Sequence, residues 1–390
     1  VTGAMTFNET TERVELRAAV SALASRYGST YYRAKADEGA YLTELWAEAG
    51  KLGYLGVNIP EEYGGGGGGI GDLGAVLEEF SAAGCPTLMM VVSPAICGTV
   101  LGRFGTVAQR RRWLPGLATG ATIMAFAITE PDAGSNAHRI TTTARRDGDG
   151  WVLTGRKTFI SGVDVADAVL VVGRIEDART GRLSAALFVV PTDAPGFEKR
   201  RIEMDLVSPD HQYQLFMDEV RLPADALVGD PEAGLLQLFA GLNPERIMAA
   251  SLATGSARHA LDKAVAYAKE RVVWSDRPIG SHQGIAHPLA QVKIETEQAR
   301  LMTRYAALRY DSGDDAGAGE AANMAKYAAA EACVRSVDQA VQTLGGNGLA
   351  SEYGLGAAIA ASRLARIAPV SREMILNYVA QQSLGLPKSY

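Results

Sequence analysis

Residues 124–161 concentrate side chains suited to binding and chemistry. The stretch opens on a short apolar run, Met124 to Ile128, of strand length and bounded by polar residues. Thr129-Glu130-Pro131-Asp132-Ala133-Gly134-Ser135-Asn136 follows. Pro131 drives the residue before it out of the helical region, and Gly134 allows a φ above zero. The reading is a fixed, exposed loop rich in hydroxyls and free amides. Farther on, Lys157-Thr158-Phe159-Ile160-Ser161-Gly162 brings an aromatic and a hydroxyl close together and ends in a glycine turn. Taken alone, the stretch reads equally well as a β-meander with polar turns.

Other candidate chemistries are weaker. The glycine run Gly64 to Gly69 suggests a phosphate cradle, but a dinucleotide fingerprint needs a preceding strand. Pro60, Glu61 and Glu62 stand there instead, with negative charge where phosphate would sit, so a flexible surface turn is expected. The histidines lack metal-ligand spacing; His282 and His287 read as polar helix-start residues, and no metal is expected. Cys85, Cys97 and Cys333 are odd in number and widely spaced, which argues against a disulfide framework. They read as buried small hydrophobes in a reducing compartment. A net charge of −6 without a basic run makes nucleic acid an unsuitable partner. No apolar run approaches the ~18 residues of a membrane helix. The N-terminal residues lack a basic and then apolar leader, so a cytoplasmic protein is expected.

The surrounding elements must position that stretch. At 390 residues and 47% apolar content, the chain has room for two or three domains. Residues 8–123 read as helical: Leu16, Val20, Leu23 and Ala24 recur at helical spacing, as do Leu42, Leu45, Trp46, Ala49 and Leu52. Asp72 is expected to cap a helix carrying Val76, Leu77 and Phe80. From residue 124 to about 230 the period shifts toward two. Strands are expected over 140–146 and 151–154, joined by a Gly-Asp hairpin, and over 168–172, 185–190, 197–204 and 212–220. A Pro/Gly/Asp-rich connection then marks a boundary. Helices are expected over 235–272, 283–310, 321–344 and 353–382, the first breaking near Asn243-Pro244. Helices of this length can pack as an antiparallel bundle.

The Thr129–Asn136 and Lys157–Gly162 segments, at this separation, resemble the middle domain of the acyl-CoA dehydrogenase family. The resemblance extends over nearly the whole chain. It implies a multidomain α+β fold: an N-terminal α-helical domain (1–123), a middle β-barrel-like domain (124–232) and a C-terminal four-helix bundle (233–390). It also implies FAD as cofactor. Phe126, Ile128 and Thr129 would face the flavin ring edge. Phe159 would lie against the isoalloxazine, where many members carry Trp, and Ser161 would reach the N5 side. Gly134 and Ser135 match positions near the pyrophosphate and the CoA arm. Arg271 keeps the place of an Arg that reaches the neighbouring subunit's FAD, with a guanidinium suited to pyrophosphate, and Trp274 replaces a Phe there. Gln342, Gly345, Gly346, Ser371 and Glu373 match the adenosine end.

The resemblance implies dehydrogenation of an acyl-CoA to the trans-2-enoyl-CoA, with hydride accepted at flavin N5 and electrons passed to an electron-transfer flavoprotein. Most members place the catalytic Glu two residues before the Thr that Ser371 matches, and Pro369 stands there. A minority, typified by isovaleryl-CoA dehydrogenase, take the Glu from a Gly-Leu-x-x-Glu-Arg segment. Gly241-Leu242-Asn243-Pro244-Glu245-Arg246 matches it, so Glu245 is the candidate base, with Asn243, Arg246 and Ser135 on the substrate side. The plain alternative is an exposed helix carboxylate paired with Arg246 or Arg271. Pro369 also lacks the N–H that in the family helps bind the thioester oxygen, a donor worth ~3 kcal/mol in comparable sites. That loss leaves open a flavin monooxygenase or oxidase on the same fold, or a flavin-binding subunit without dehydrogenase activity. A homotetramer is expected from the shared cofactor sites.

Overall fold

The computed structural model describes residues 9–176, 183–274 and 276–388. The N-terminal part is helical: α1 (Thr11–Ala24), α2 (Gly28–Glu38), α3 (Thr43–Lys51), α4 (Ile70–Ala82), a π-helical segment (Val91–Gly98), α5 (Thr99–Phe104) and α6 (Val107–Thr119). Local chemistry sets the helix starts. Thr106 and Gln109 cap α6 reciprocally, each side chain accepting the other's backbone N–H. Asp72, expected to cap α4, does so from inside its first turn: the N-cap position is Gly69, whose N–H the Asp72 carboxylate accepts at 3.0 Å. Asp311 takes the next two amides, Ile70 at 2.8 Å and Gly71 at 2.9 Å, as a carboxylate at a helix N-terminus should.

The glycine run before α4 is a packed loop and not the free turn expected. The Gly66, Gly67 and Gly68 amides donate to the carbonyls of Gly56, Ile59 and Val57. A Cβ on Gly65 would fall 2.0 Å from the Ile59 carbonyl oxygen, so glycine is required there by close approach of two backbones.

The middle part is a mixed, 8-stranded sheet: β1 (Met124–Ala127), β2 (Thr143–Asp147), β3 (Gly150–Ser161), β4 (Ala168–Glu176), β5 (Leu183–Pro191), β6 (Phe197–Ile202), β7 (Gln212–Leu222) and β8 (Leu227–Val228). Its order is β6-β7-β3-β2-β4-β5-β8, with β1 paired in parallel to β4. The sheet is open between β6 and β8 and does not close into a barrel. The β6 edge carries Glu198, Lys199, Arg200 and Arg201, charges that discourage further pairing. The strand expected over 151–154 continues through the Lys157–Ser161 segment as one strand, β3, with register shifts at Leu153/Gly155 and Lys157/Ile160. The strand expected from residue 140 begins at 143, because the amides of Thr141 and Thr142 donate to the Glu130 carboxylate and not to a neighbouring strand.

The C-terminal part comprises α7 (Gly234–Glu270), α8 (Gln283–Asp311), α9 (Asp315–Leu344), α10 (Gly346–Leu349), α11 (Leu355–Ile367) and α12 (Arg372–Tyr378). Buried alanines such as Ala257, Ala299 and Ala325 let α7, α8 and α9 approach closely. The break expected at Asn243-Pro244 does not occur, and α7 runs through. Pro244 has no N–H for the Ala240 carbonyl, but the Tyr310 hydroxyl donates to that oxygen at 3.3 Å. The helix expected over 353–382 is instead split at residues 368–371, around a cis Ala368–Pro369 bond. No described helix is long and apolar enough to cross a membrane.

The N-terminal helices are fastened to α7 and α8 by charge. Glu78 and Glu79 of α4, both buried, meet Arg17 of α1 and Arg258 of α7, and Arg300 of α8 also reaches Glu78. Burial works to raise the Glu78 carboxyl, but the charges of Arg17, Arg300 and Arg258 outweigh it and hold it down.

Candidate active site

The two segments singled out in the sequence meet. Phe126 is buried at the end of β1, and Ile128 and Thr129 emerge half-buried beyond it. The Thr129 carbonyl accepts the Thr158 N–H at 2.9 Å, which joins the loop to β3. Beneath this junction lies a buried ion pair that the sequence reading missed. Lys157 Nζ donates to Glu130 Oε1 at 2.9 Å and to the Ile128 carbonyl at 3.0 Å. Glu130 also accepts from the Thr141 and Thr142 amides. Burial acts to raise the Glu130 carboxyl, but these hydrogen bonds and the Lys157 charge override it and bring it down to about 2. Burial pushes Lys157 down to about 8 against the pull of Glu130. The only sequence signal was a lysine interrupting a strand that is otherwise mostly apolar on that side.

Above this pair, Phe159 has φ 56 and is 57% exposed. A bulky residue in the left-handed region is strained, and such strain persists where the surroundings impose it. Here the register shift between Lys157 and Ile160 turns the ring out of the sheet. Ser161 Oγ is clasped by the Gln212 amide at 2.9 Å. Gly134 does not take the positive φ its type allowed, but a Cβ there would meet nothing within 4 Å. Ser135 and Asn136 beside it are exposed. The result is an open polar edge next to a presented aromatic face, a donor set that suits a flavin.

Glu245 lies one residue after Pro244 on the unbroken α7. It keeps partial exposure while protein crowds around its carboxyl. Its side chain makes no hydrogen bond or ion pair with any described residue, Arg246 and Arg271 included. Arg246 turns back on its own helix, donating to the Leu242 carbonyl at 3.1 Å and Asn243 Oδ1 at 3.3 Å. Its Nε is buried without a partner. Burial pushes the Glu245 carboxyl up to about 7, against the positive charges of Arg246 and Lys326. One turn earlier, Gly241 faces the π-helical segment, where a Cβ would come 3.3 Å from Ile96 Cγ2.

The remaining candidates stand apart from this surface. Arg271 ends α7, and Trp274 beyond it is 95% exposed. Gln342 is exposed near the end of α9, and a Cβ on Gly345 or Gly346 would meet nothing within 4 Å. Ser371 caps α12, and Glu373 pairs with Arg372 at 2.9 Å. No hydrogen bond, ion pair or ring contact among the described residues links Arg271, Trp274 or Gln342 to the β1–β3 surface.

Comparison with known proteins agrees along the chain's length. The description "Acyl-CoA dehydrogenase, N-terminal domain" matches residues 10–121, the middle-domain description 125–220 and the C-terminal one 232–384. The acyl-CoA dehydrogenase FadE12 of Mycobacterium tuberculosis is 65% identical over 384 residues, covering 98% of this chain and 99% of that protein. The solved glutaryl-coenzyme A dehydrogenase in its glutaryl-CoA complex superposes with a TM-score of 0.93 at 29% identity, covering 99% of this chain and 98% of the other. Butyryl-CoA dehydrogenase from Megasphaera elsdenii gives 0.88 at 27% identity, over 95% and 98%.

Proposed function

The chain belongs to the acyl-CoA dehydrogenase family and is an oxidoreductase with FAD as its cofactor; from that premise we propose that Glu245 is the base that removes the α-proton of an acyl-CoA. The product is the trans-2-enoyl-CoA. The α-proton of a thioester is too weakly acidic for a carboxylate in water, so the base must be desolvated and the enolate stabilised. The observation that carries the proposal is Glu245, half-buried and without a side-chain partner among the described residues, set against Pro369, which offers no carboxylate.

FAD supplies the hydride acceptor at N5. Phe159 gives it an apolar face, and Phe126, Ile128, Thr129, Gly134 and Ser161 line its edge. Ser135, Asn243 and Arg246 serve the CoA arm and the thioester pocket. We take the chain as three units, 1–123, 124–232 and 233–390, assembled as a dimer of dimers. Arg271, Trp274, Gln342, Gly345, Gly346, Ser371 and Glu373 then hold the pyrophosphate and adenosine, the first three reaching a neighbour's cofactor. Electrons leave to an electron-transfer flavoprotein.

Anaerobic mixing of the FAD-loaded protein with straight-chain and branched acyl-CoA thioesters tests the reading. Flavin bleaching without oxygen is the expected result. Absence of bleaching with every thioester would overturn it in favour of a binding subunit, and turnover that requires oxygen would favour an oxidase.

A further inference from the structure

Resting on Ser161 as the hydroxyl on the N5 side of the flavin, we infer that Gln212 is its positioning residue: one carboxamide, offering a donor and an acceptor to the same hydroxyl, fits Ser161 to the flavin in both oxidation states. Gln212 Nε2 donates to Ser161 Oγ at 2.9 Å, and Ser161 Oγ can donate in turn to Gln212 Oε1 at 3.1 Å. Among the described residues neither side chain has another hydrogen-bond partner. Both ends of the amide reach Oγ, so turning the amide over presents the same pair of groups. A plain cross-strand pair needs only one of these contacts.

The backbone around the pair is fixed, which leaves the hydroxyl proton as the movable part. Ser161 and Gln212 are register partners at the end of β3 and the start of β7. On its other side Gln212 pairs with Ile202 of β6. The Gly162 N–H donates to the His211 carbonyl at 2.9 Å, carrying the pairing one residue past Ser161. There the chain turns at Gly162, φ 66, where a Cβ would fall 2.3 Å from Met89 Sδ of the helical N-terminal part. Three residues before Ser161, the Thr158 N–H is held by the Thr129 carbonyl.

A flavin makes opposite demands at N5. Oxidised, that nitrogen offers a lone pair and takes a donor; reduced, it carries a hydrogen and takes an acceptor. A serine hydroxyl has one proton and two lone pairs, and it can turn to suit either. Each orientation leaves a second group of the hydroxyl to satisfy, and Gln212 supplies the complement both times. Toward the oxidised ring, Ser161 donates outward and accepts from Gln212 Nε2. Toward the reduced ring, it accepts from outside and donates back to Gln212 Oε1. Hydrogen bonds at the ring nitrogens tune a cofactor's electronics, so Gln212 acts on the flavin's potential through Ser161.

Gln212→Met keeps the length of the side chain and removes both hydrogen-bonding groups. With oxidised cofactor Ser161 can still donate; with reduced cofactor its proton has no acceptor. The reduced form therefore loses more, and the midpoint potential of bound FAD is expected to fall. Anaerobic reduction against a reference dye, without any thioester, reads it. The expected change is about tenfold in the reduction equilibrium, or about 30 mV for a two-electron couple. In a Ser161→Ala background, Gln212→Met is expected to cause no further fall; in Ser161→Thr, which keeps a hydroxyl, the fall should return. A potential unmoved or raised by Gln212→Met overturns the inference, as does an equal fall in the Ser161→Ala background. Failure of both Gln212→Met and Gln212→Leu to fold overturns it too, since the amide is then structural. If Ser161→Ala alone leaves the potential and the absorption spectrum of bound FAD at wild-type values, the placement of Ser161 on the flavin has itself failed.

Discussion

Glu245→Gln keeps the size and hydrogen bonding of the side chain and removes the proposed base. The variant should bind FAD and thioester yet reduce flavin ~10²–10⁴ more slowly, the usual worth of a positioned base. Anaerobic stopped-flow bleaching reads this directly, and wild-type speed would leave the chain without an identified base. The proton transfer also has a pH signature. Burial holds the Glu245 carboxyl at about 7, so the rate should climb as pH rises through that value and level off above it. The same raised value makes the folded chain keep a proton that the unfolded chain has released. Stability should therefore fall as pH rises from the usual carboxylate range toward 7, and Glu245→Gln should remove that slope. Glu130, in the loop after β1, acts differently. Its carboxylate is committed to Lys157 and two amides, and Glu130→Gln strands a buried ammonium. A loss of 3–5 kcal/mol, about the cost of breaking a buried pair, is expected by denaturant titration, with proton removal intact in the protein that remains folded.

At the level of elements, α7 shows why some local readings from sequence fail. Pro244 signals a helix break, and nothing within α7 contradicts it. The group that satisfies the orphaned Ala240 carbonyl is Tyr310, on α8, itself held by Arg103 at 3.2 Å. A partner so distant along the chain leaves no local signal. The strand start at Thr143 was obscured in the same way, by the reach of Glu130 to amides eleven and twelve residues on. What the sequence made legible was periodic or carried by motif: the strands near 168, 185, 197 and 212, the long C-terminal helices, and the pairing of the Thr129 and Phe159 segments. The left-handed conformation of Phe159 was not legible, because only the bulge against β7 imposes it. The α7 account makes a prediction. Tyr310→Phe leaves the Ala240 carbonyl unsatisfied and should cost roughly 1–3 kcal/mol. Pro244→Ala restores an N–H to that carbonyl, so the double variant should recover most of the loss. Strict additivity of the two changes in thermal or urea unfolding would show that the hydroxyl does not replace the missing amide.

At the scale of the whole molecule, the residues proposed to hold the cofactor lie in two places. The β1–β3 surface carries Phe159, Thr129 and Ser161, whereas Arg271, Trp274 and Gln342 project from the ends of α7 and α9 without touching that surface. Trp274 at 95% exposure is an uneconomical position for a large aromatic in an isolated chain. Ile294, Leu301 and Leu308, exposed and seven residues apart, add an apolar stripe on one side of α8. Both features fit a two-fold assembly in which each chain completes its neighbour's site. Flavin-saturated protein should therefore sediment as a dimer or tetramer, and a saturated monomer would rule the arrangement out. Mixed assembly gives a sharper test. Phe159→Asp spoils the flavin face of a chain's own site, and Arg271→Glu spoils the pyrophosphate contact it lends to its neighbour. Each variant alone should lose FAD. Co-refolded in equal amounts, a mixed pair holds one doubly spoiled site and one site with both native residues. Random isologous pairing then restores FAD to about a quarter of all sites. If Arg271 served its own chain's cofactor, no mixed pair would contain a native site, and the mixture would stay as empty as its parents.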